Sequence, residues 1–328
     1  MTLIATASSV PRVAVVIPAH NAERYIAATV RSALAADTPD VEVLVVDDGS
    51  TDRTVAQART IDDPRLIVTS IAASGGPSRP RNIGIRQARA PYVSLLDSDD
   101  LLKPGKLAAS AAALDRWPSA AFAFGNYERI DEDGNVFVTS SSYLYPMLRR
   151  IKSQPVSDAW QLIAQSDLAR ALAYENFIGT SGVVMRKDLA IAVGGFDETI
   201  TCGEDVDFWF RLAHRYDALY SPGVGHSYRV HSASILRGGP PIENSSSCIS
   251  VLRRERARWA ERGARRQLDR RIAAHLDVIG YQERLRRKRW RAVRSSLRAY
   301  ATAPDGHRLV NLISAAVFAP HDATETHE

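Results

Sequence analysis

The sequence predicts an α/β fold: a doubly wound, mostly parallel sheet of Rossmann-like type, carrying a C-terminal Arg-rich α-helical extension. Three observations predict it. Apolar runs alternate with amphipathic stretches over roughly the first 125 residues, the pattern of strands buried on both faces by crossover helices. The predicted strand ends are polar where the apolar runs stop, as expected where ligands bind at the carboxyl edge of such a sheet. Charge is also unevenly distributed: the chain carries a net +5, but residues 250–300 hold 17 Lys and Arg against 5 Asp and Glu, whereas residues 1–249 are net −4.

Taken in order, "RVAVVIPAH" is a continuous apolar strand, and "NAERYIAATVRSALAA" follows as a helix with Ile26, Val30, Ala33 and Leu34 on one face. "VEVLVVDDGS" is the second strand, and "TDRTVAQARTI" is a helix that Thr51 or Asp52 caps. "RLIVTSIA" is the third strand, "GPSRPRNIGIRQARA" leads into the third helix, "PYVSLL" is the fourth strand, and "KPGKLAASAAALDRW" is a helix opened by Pro104. "AAFAFGNYERI" is a fifth strand, joined through an Asp133-Gly134 turn to another. Residues 139–174 lose this periodicity and read as an insertion or lid with a helix at "DAWQLIAQSDLARALA". "NFIGTSGVVMRKDLAIAVGGFDE" is a strand and short helix, "GEDVDFWFRLAHRY" an amphipathic helix, and "VGHSYRVHSASI" a strand with its exit loop. Two domains are expected, 1–238 and 239–328, the second built of long helices with apolar positions such as Leu268, Ile272 and Leu276.

Composition excludes several classes. Cys202 and Cys248 are too few for a disulfide framework or a zinc cluster, which points to a reducing cytoplasm. The start of the chain lacks the basic and apolar regions of a secretory signal. "LVNLISAAVFA" is well short of the roughly 18 apolar residues that span a bilayer. Neither G-x-G-x-x-G nor a Walker lysine motif follows the first strand, which argues against a nicotinamide dehydrogenase or a P-loop NTPase.

Three successive strand ends carry the candidate chemistry: Pro18-Ala19-His20-Asn21, Asp47-Asp48-Gly49-Ser50 and Asp97-Ser98-Asp99-Asp100. Taken alone, "DDGSTD" serves equally well as a turn and helix cap, and "DSDD" as a solvated turn. Carboxylates two residues apart at a strand end point to the same side, however, so Asp97 and Asp99 suit one Mg²⁺ or Mn²⁺ site. Two acids rarely fill the shell of such an ion, and a substrate diphosphate would complete it, so the pattern favours a nucleotide ligand.

In that order, "VAVVIPAHNAERYIAATVRSAL", "VEVLVVDDGSTDRT", "RPRNIGIRQARAPYVSLLDSDD", "GGFDE" and "GEDVDFWFRL" resemble glycosyltransferase family 2, inverting enzymes of GT-A fold, over about residues 12–235. The resemblance implies transfer of a sugar from a nucleotide-diphosphate sugar, such as a UDP-, GDP- or dTDP-sugar, to an acceptor hydroxyl on a glycan or lipid-linked glycan. Inversion and a Mn²⁺ or Mg²⁺ cofactor are implied with it. By motif position, Asp99 resembles the metal-binding aspartate of D-x-D, and Asp97 and Ser98 lie on the donor side. Asp47 and Asp48 hold the base or ribose, and Pro18 and His20 line the base pocket, where many relatives have Tyr at the His20 position. Arg81 faces the acids or the diphosphate, and His231 falls where some relatives place a further metal ligand.

Asp205 in "GED" is the implied general base. From the residues alone, it reads first as an acidic helix start favoured by the dipole, and only the family resemblance reverses that. Glu204 and Trp209 are assigned to the acceptor side, and for Trp209 the sequence leaves core and pocket wall open. The basic helices imply either peripheral membrane association at an inner membrane face, or packing on the catalytic domain or homo-oligomerisation; nucleic acid is not expected, since no recognised binding module accompanies the charge. A non-catalytic nucleotide-sugar or glycan-binding relative is the alternative to an enzyme.

Overall fold

The computed structural model describes residues 10–35, 40–231 and 242–317. The chain separates into two compact units. The first comprises 1–169, 177–198 and 208–231, and the second 170–176, 199–207 and 232–328. The expected boundary at 238/239 and part of the exit loop after His231 lie outside the described residues.

The first unit is built around one sheet. Its opening elements are β1 Val13–Ala19, α1 Ile26–Leu34, β2 Val41–Asp48, α2 Thr54–Ala58, β3 Leu66–Ile71, α3 Ser78–Gln87 and β4 Tyr92–Leu95. β1 and β2 are buried at every position, as expected of apolar strands covered on both faces. There follow β5 Leu101–Leu102, α4 Lys106–Arg116, β6 Ala120–Ile130, β7 Val136–Val138, β8 Gln154–Pro155 and β9 Gln161–Ile163. α5 Gln165–Tyr174, β10 Val184–Arg186, α6 Lys187–Ala192, α7 Glu204–Ala213 and β11 Asp217–Arg229 complete the α/β part. The strand order is β3-β2-β1-β4-β10-β6-β11-β9-β8, with β5 paired to β11 and β7 to β6.

β10 lies between β4 and β6 and is antiparallel to both. The fourth and fifth strands of the sequence reading are therefore not neighbours, although β3, β2, β1 and β4 run parallel as expected. The expected helix from Asp158 also needs correction. Gln161–Ile163 is a strand paired antiparallel to Ala218–Tyr220, with Ile163 fully buried, and the helix begins only at Gln165. Pairing to the sheet outweighs local helical periodicity there. Pro104 precedes rather than opens α4, whose N-cap is Gly105 at φ 75°.

α3 packs on β1 through Gly84, where a Cβ would come within 2.4 Å of the Val16 side chain. The second unit holds α8 Ile242–Arg258, α9 Arg262–Leu285, α10 Arg289–Thr302 and α11 Gly306–Val317, with Leu252, Leu268, Ile272 and Leu276 buried. Among the described residues, no helix is long and apolar enough to cross a membrane.

Candidate active site

The strand ends meet because β1 and β2 are in parallel register, Ala19 opposite Asp47, while β4 runs beside β1 with Leu95 opposite Val16. Pro18 is buried in β1, and His20 is exposed just past the strand end. His20 Nδ1 lies 2.8 Å from the Asp48 carbonyl oxygen, tying the first strand end to the second. Asn21, at φ 49°, extends that tie by accepting the Thr51 N–H at 2.9 Å. Asp48 is buried, and its Oδ1 accepts both the backbone N–H and the hydroxyl of Ser74 at 2.8 Å. Asp47 accepts the Ser50 N–H at 3.4 Å. Both acids thus shape the loops around the strand ends.

"RNIG" does three jobs in four residues. The Arg81 guanidinium, 4% exposed and over the Phe196 ring at 5.2 Å, donates to Asp97 Oδ1 at 2.7 Å. Asn82 clamps the "GGFDE" turn: its Nδ2 donates to the Phe196 carbonyl at 2.8 Å and to Glu198 at 2.9 Å, and its Oδ1 accepts the Phe196 N–H at 2.8 Å. Gly84 supplies the close approach to β1 described above.

Asp100 is the post beneath the acidic turn. It is fully buried; its Oδ2 accepts the Ser181 hydroxyl at 2.5 Å and its Oδ1 accepts the Arg229 N–H at 2.8 Å. Ser181 Oγ in turn accepts the Asp97 N–H at 3.1 Å. Arg229 donates through Nε to the Asp99 carbonyl at 2.9 Å and lies 4.9 Å from the Tyr25 ring centroid. Ser98 offers its carbonyl to the Thr29 hydroxyl at 2.9 Å. Asp99 is half-buried, with Oδ2 2.8 Å from His231 Nε2, and the His231 ring is 5.1 Å from Tyr25.

Burial, and then the charge of Asp97, raise the Asp99 carboxyl above its usual range against the opposing pull of His231. Burial, followed by Asp99 and Asp97, raises Asp100 well above it. Crowded, desolvated acids of this kind favour a neighbouring cation. Among the described residues, no group of three or more His, Cys, Asp or Glu is arranged to hold a metal by itself. The donor set that does converge, Asp99 oxygen beside His231 nitrogen with Asp97 close by, fits Mn²⁺ or Mg²⁺ when substrate oxygens fill the remaining positions.

In the second unit, Asp205 is half-buried in the first turn of α7. Its Oδ2 accepts from Asn176 Nδ2 at 3.0 Å and its Oδ1 from the Val206 N–H at 2.7 Å. Glu204 is 9% exposed. Trp209, one turn further along α7, is fully buried, 5.7 Å from Phe122, 5.2 Å from Phe208 and edge-on to Phe196. The choice left open by the sequence falls to the core: Trp209 offers no surface to an acceptor, and its assignment to the acceptor side is corrected.

The glycines of "GTSG", residues 179–182, have a packing reason. A Cβ at Gly182, φ 75°, would meet His226 at 2.9 Å, and one at Gly179 would meet Tyr127 at 3.1 Å, so these glycines make room for buried rings. Sequence reasoning missed Tyr25, Asn82, Ser181, Arg229 and Asn176, and gave Asp100 only to the turn. An arginine two residues ahead of His231 was the one available signal, because it brackets the same acidic turn.

Strand ends rich in acids thus lie on an α/β fold of GT-A type. The sequence model of "Glycosyl transferase family 2" matches residues 14–189, and the chain belongs to that family. It is 30% identical over 232 residues to the succinoglycan biosynthesis protein ExoO of Rhizobium meliloti (strain 1021), which covers 70% of this chain and 63% of ExoO. With the succinoglycan biosynthesis protein ExoU of the same organism, identity is 31% over 237 residues, 70% of this chain and 66% of ExoU. The chain thus spans somewhat less than two thirds of these relatives. In fold it is similar to residues 1–349 of S. aureus TarS solved in complex with UDP-GlcNAc, with TM-score 0.64, 18% identity and coverage of 94% of this chain and 93% of that one.

Proposed function

We propose that the chain transfers a sugar from a nucleotide-diphosphate sugar to an acceptor hydroxyl with inversion, in the building of a cell-envelope or extracellular polysaccharide. The observation that carries this reading is the division of the D-x-D carboxylates: Asp97 is held by Arg81 at 2.7 Å, while Asp99 faces His231 at 2.8 Å. Asp99 and His231 are the residues to hold a divalent cation with the donor diphosphate, and Asp97 with Arg81 orients the donor side. Bound there, the cation would offset charge developing on the leaving diphosphate. Pro18, His20, Asp47, Asp48 and Ser98 frame the nucleoside. Asp205 accepts the proton of the attacking hydroxyl, with Glu204 beside it on the acceptor side; the Asn176 hydrogen bond supports that role by fixing one carboxylate oxygen. The succinoglycan names of ExoO and ExoU and the UDP-GlcNAc bound by TarS support a UDP-sugar and a glycan or lipid-linked glycan acceptor.

The helical unit adds a membrane to this reading. Trp290 is 73% exposed amid the arginines of α10, and Leu309, Val310, Ile313 and Val317 are exposed on α11, a combination that suits an anionic lipid surface. Flotation with anionic vesicles at low salt tests it; a protein that stays unbound and instead forms a defined oligomer would replace the membrane with a second copy of the chain.

The enzyme reading is tested by screening UDP-, GDP- and dTDP-sugars for turnover with Mn²⁺ and with Mg²⁺. Asp99→Ala and Asp205→Asn are expected to lose on the order of 10²-fold or more in turnover. Parent-like rates in both would exclude this mechanism, and a parent chain that turns over none of the donors would favour a binding relative.

A further inference from the structure

Cys202 and Cys248, the only cysteines in the chain, lie with their sulfurs 3.6 Å apart, the Cys248 thiol donating to Cys202 Sγ. Both are reduced and half-buried. Cys248 is held within α8, whereas Cys202 sits on the short loop leading into α7 and donates its backbone N–H to Ser247 Oγ at 3.3 Å. The neighbouring Gly203 has φ 83°, and a Cβ there would lie 3.2 Å from Cys248 Sγ, so loop and helix are already in contact at this point.

We propose that Cys202 and Cys248 form a reversible dithiol–disulfide pair that, when oxidised by a peroxide, ties α8 to the Gly203-Glu204-Asp205 segment and slows sugar transfer. A disulfide needs the sulfurs about 2.05 Å apart, so closure moves them roughly 1.5 Å, a step available to a loop cysteine but not to two residues in rigid elements. The chemistry balances with hydrogen peroxide as oxidant. The Cys202 thiolate attacks one peroxide oxygen, giving a sulfenic acid and hydroxide that takes up the thiol proton as water. The Cys248 sulfur then displaces the sulfenic oxygen as a second water, for a net two thiols plus peroxide to one disulfide plus two waters.

Cys202 is the better attacker, because the hydrogen bond from Cys248 lowers its pKa, although burial and the charges of Glu204 and Asp205 oppose this; Cys248 is raised. Arg271, buried with its guanidinium on the Leu172 carbonyl, adds a fixed positive charge near this group. The effect on turnover rests on the role proposed for Asp205, three residues from Cys202, since a shift of about 1 Å at a reacting group can cost about a hundredfold in rate.

The test treats the reduced full chain with hydrogen peroxide and reads the cysteines by peptide mass spectrometry. The expected result is a Cys202–Cys248 cross-linked peptide, reversed by dithiothreitol, with donor turnover falling roughly tenfold or more and recovering on reduction. Cys248→Ser keeps the basal rate and stops at a Cys202 sulfenic acid that dimedone traps. Two free thiols after peroxide, or each sulfur oxidised separately, would overturn the pair. A disulfide that forms without changing turnover would overturn its control of the site. Failure of the Asp205 reading appears instead as a reduced Asp205→Asn protein that works like the parent, whatever the cysteines do.

Discussion

Asp100 receives the Ser181 hydroxyl from 81 residues away, at 2.5 Å and in full burial, and through it the acidic turn after β4 is fastened to the loop before β10. Because Ser181 also accepts the Asp97 N–H, one side chain pins both ends of the Asp97–Asp100 turn. Asp100→Ala leaves the Arg229 amide and the Ser181 hydroxyl without their acceptor, so it is expected to lower unfolding free energy by roughly 2–4 kcal/mol. Urea denaturation checks this, and Asp100→Asn, which keeps an acceptor for the amide, is expected to lose less.

Arg81 and Asp97 form an unequal pair. The arginine side chain is 4% exposed and the aspartate 33%. Removing the carboxylate takes an ion-pair partner from a buried cation, whereas removing the guanidinium leaves a carboxylate with access to water. Asp97→Ala should therefore lower the melting temperature more than Arg81→Met does. Equal losses would mean that the pair is not the main contact of either residue.

Gly195 has φ 66°, and a Cβ there would come within 2.6 Å of Asn82 Oδ1. Gly195→Ala pushes apart the Asn82 clamp on Phe196 and adds backbone strain, for an expected loss of about 2–3 kcal/mol. Gly84→Ala meets Val16 at 2.4 Å and is expected to cost about 1–3 kcal/mol by forcing α3 off β1. Chemical denaturation of the two variants measures both.

His226 is buried against Tyr127, and burial, then the charge of Lys106, depress its pKa to about 3. Below the ordinary pKa of 6.5, the unfolded chain takes up a proton that the folded chain refuses. Stability therefore falls as pH drops from above 6.5 toward 3, by roughly 3 kcal/mol between pH 7 and pH 4 from this residue. His226→Phe keeps a stacking ring and should flatten that part of the pH–stability curve. Lys106, depressed to about 8 by burial, works over a different window: its penalty is complete below pH 8 and is relieved as pH rises toward 10.5. Lys106→Met is accordingly expected to raise the melting temperature at pH 7.

Strand composition made much of the sheet legible. β1, β2 and β4 are largely apolar and buried at every position, and they end on polar residues, so their presence as strands could be read directly. β9 and the place of β10 could not, since three-residue strands carry too little pattern and take their structure from partners far along the chain. In the site, acids in motifs were visible, but their supports were not. Ser181, Arg229 and Asn176 are common residue types whose roles arise only when distant segments pack together. Trp209 was undecidable for a related reason: an aromatic on an amphipathic helix looks the same in sequence whether its neighbours are Phe122 and Phe208 or solvent.

The placement of β10 has a consequence for how the protein is made. β4 meets its second sheet neighbour only when Val184–Arg186 arrives, about ninety residues after β4 itself, so until then one edge of β4 is an unpaired apolar strand. The nascent chain passes through a long interval with that edge open and the Ser181 anchor of the acidic turn still missing. Fragments ending before Val184 are thus expected to pair edge to edge and aggregate, which makes the first half of the sequence a poor candidate for expression by itself.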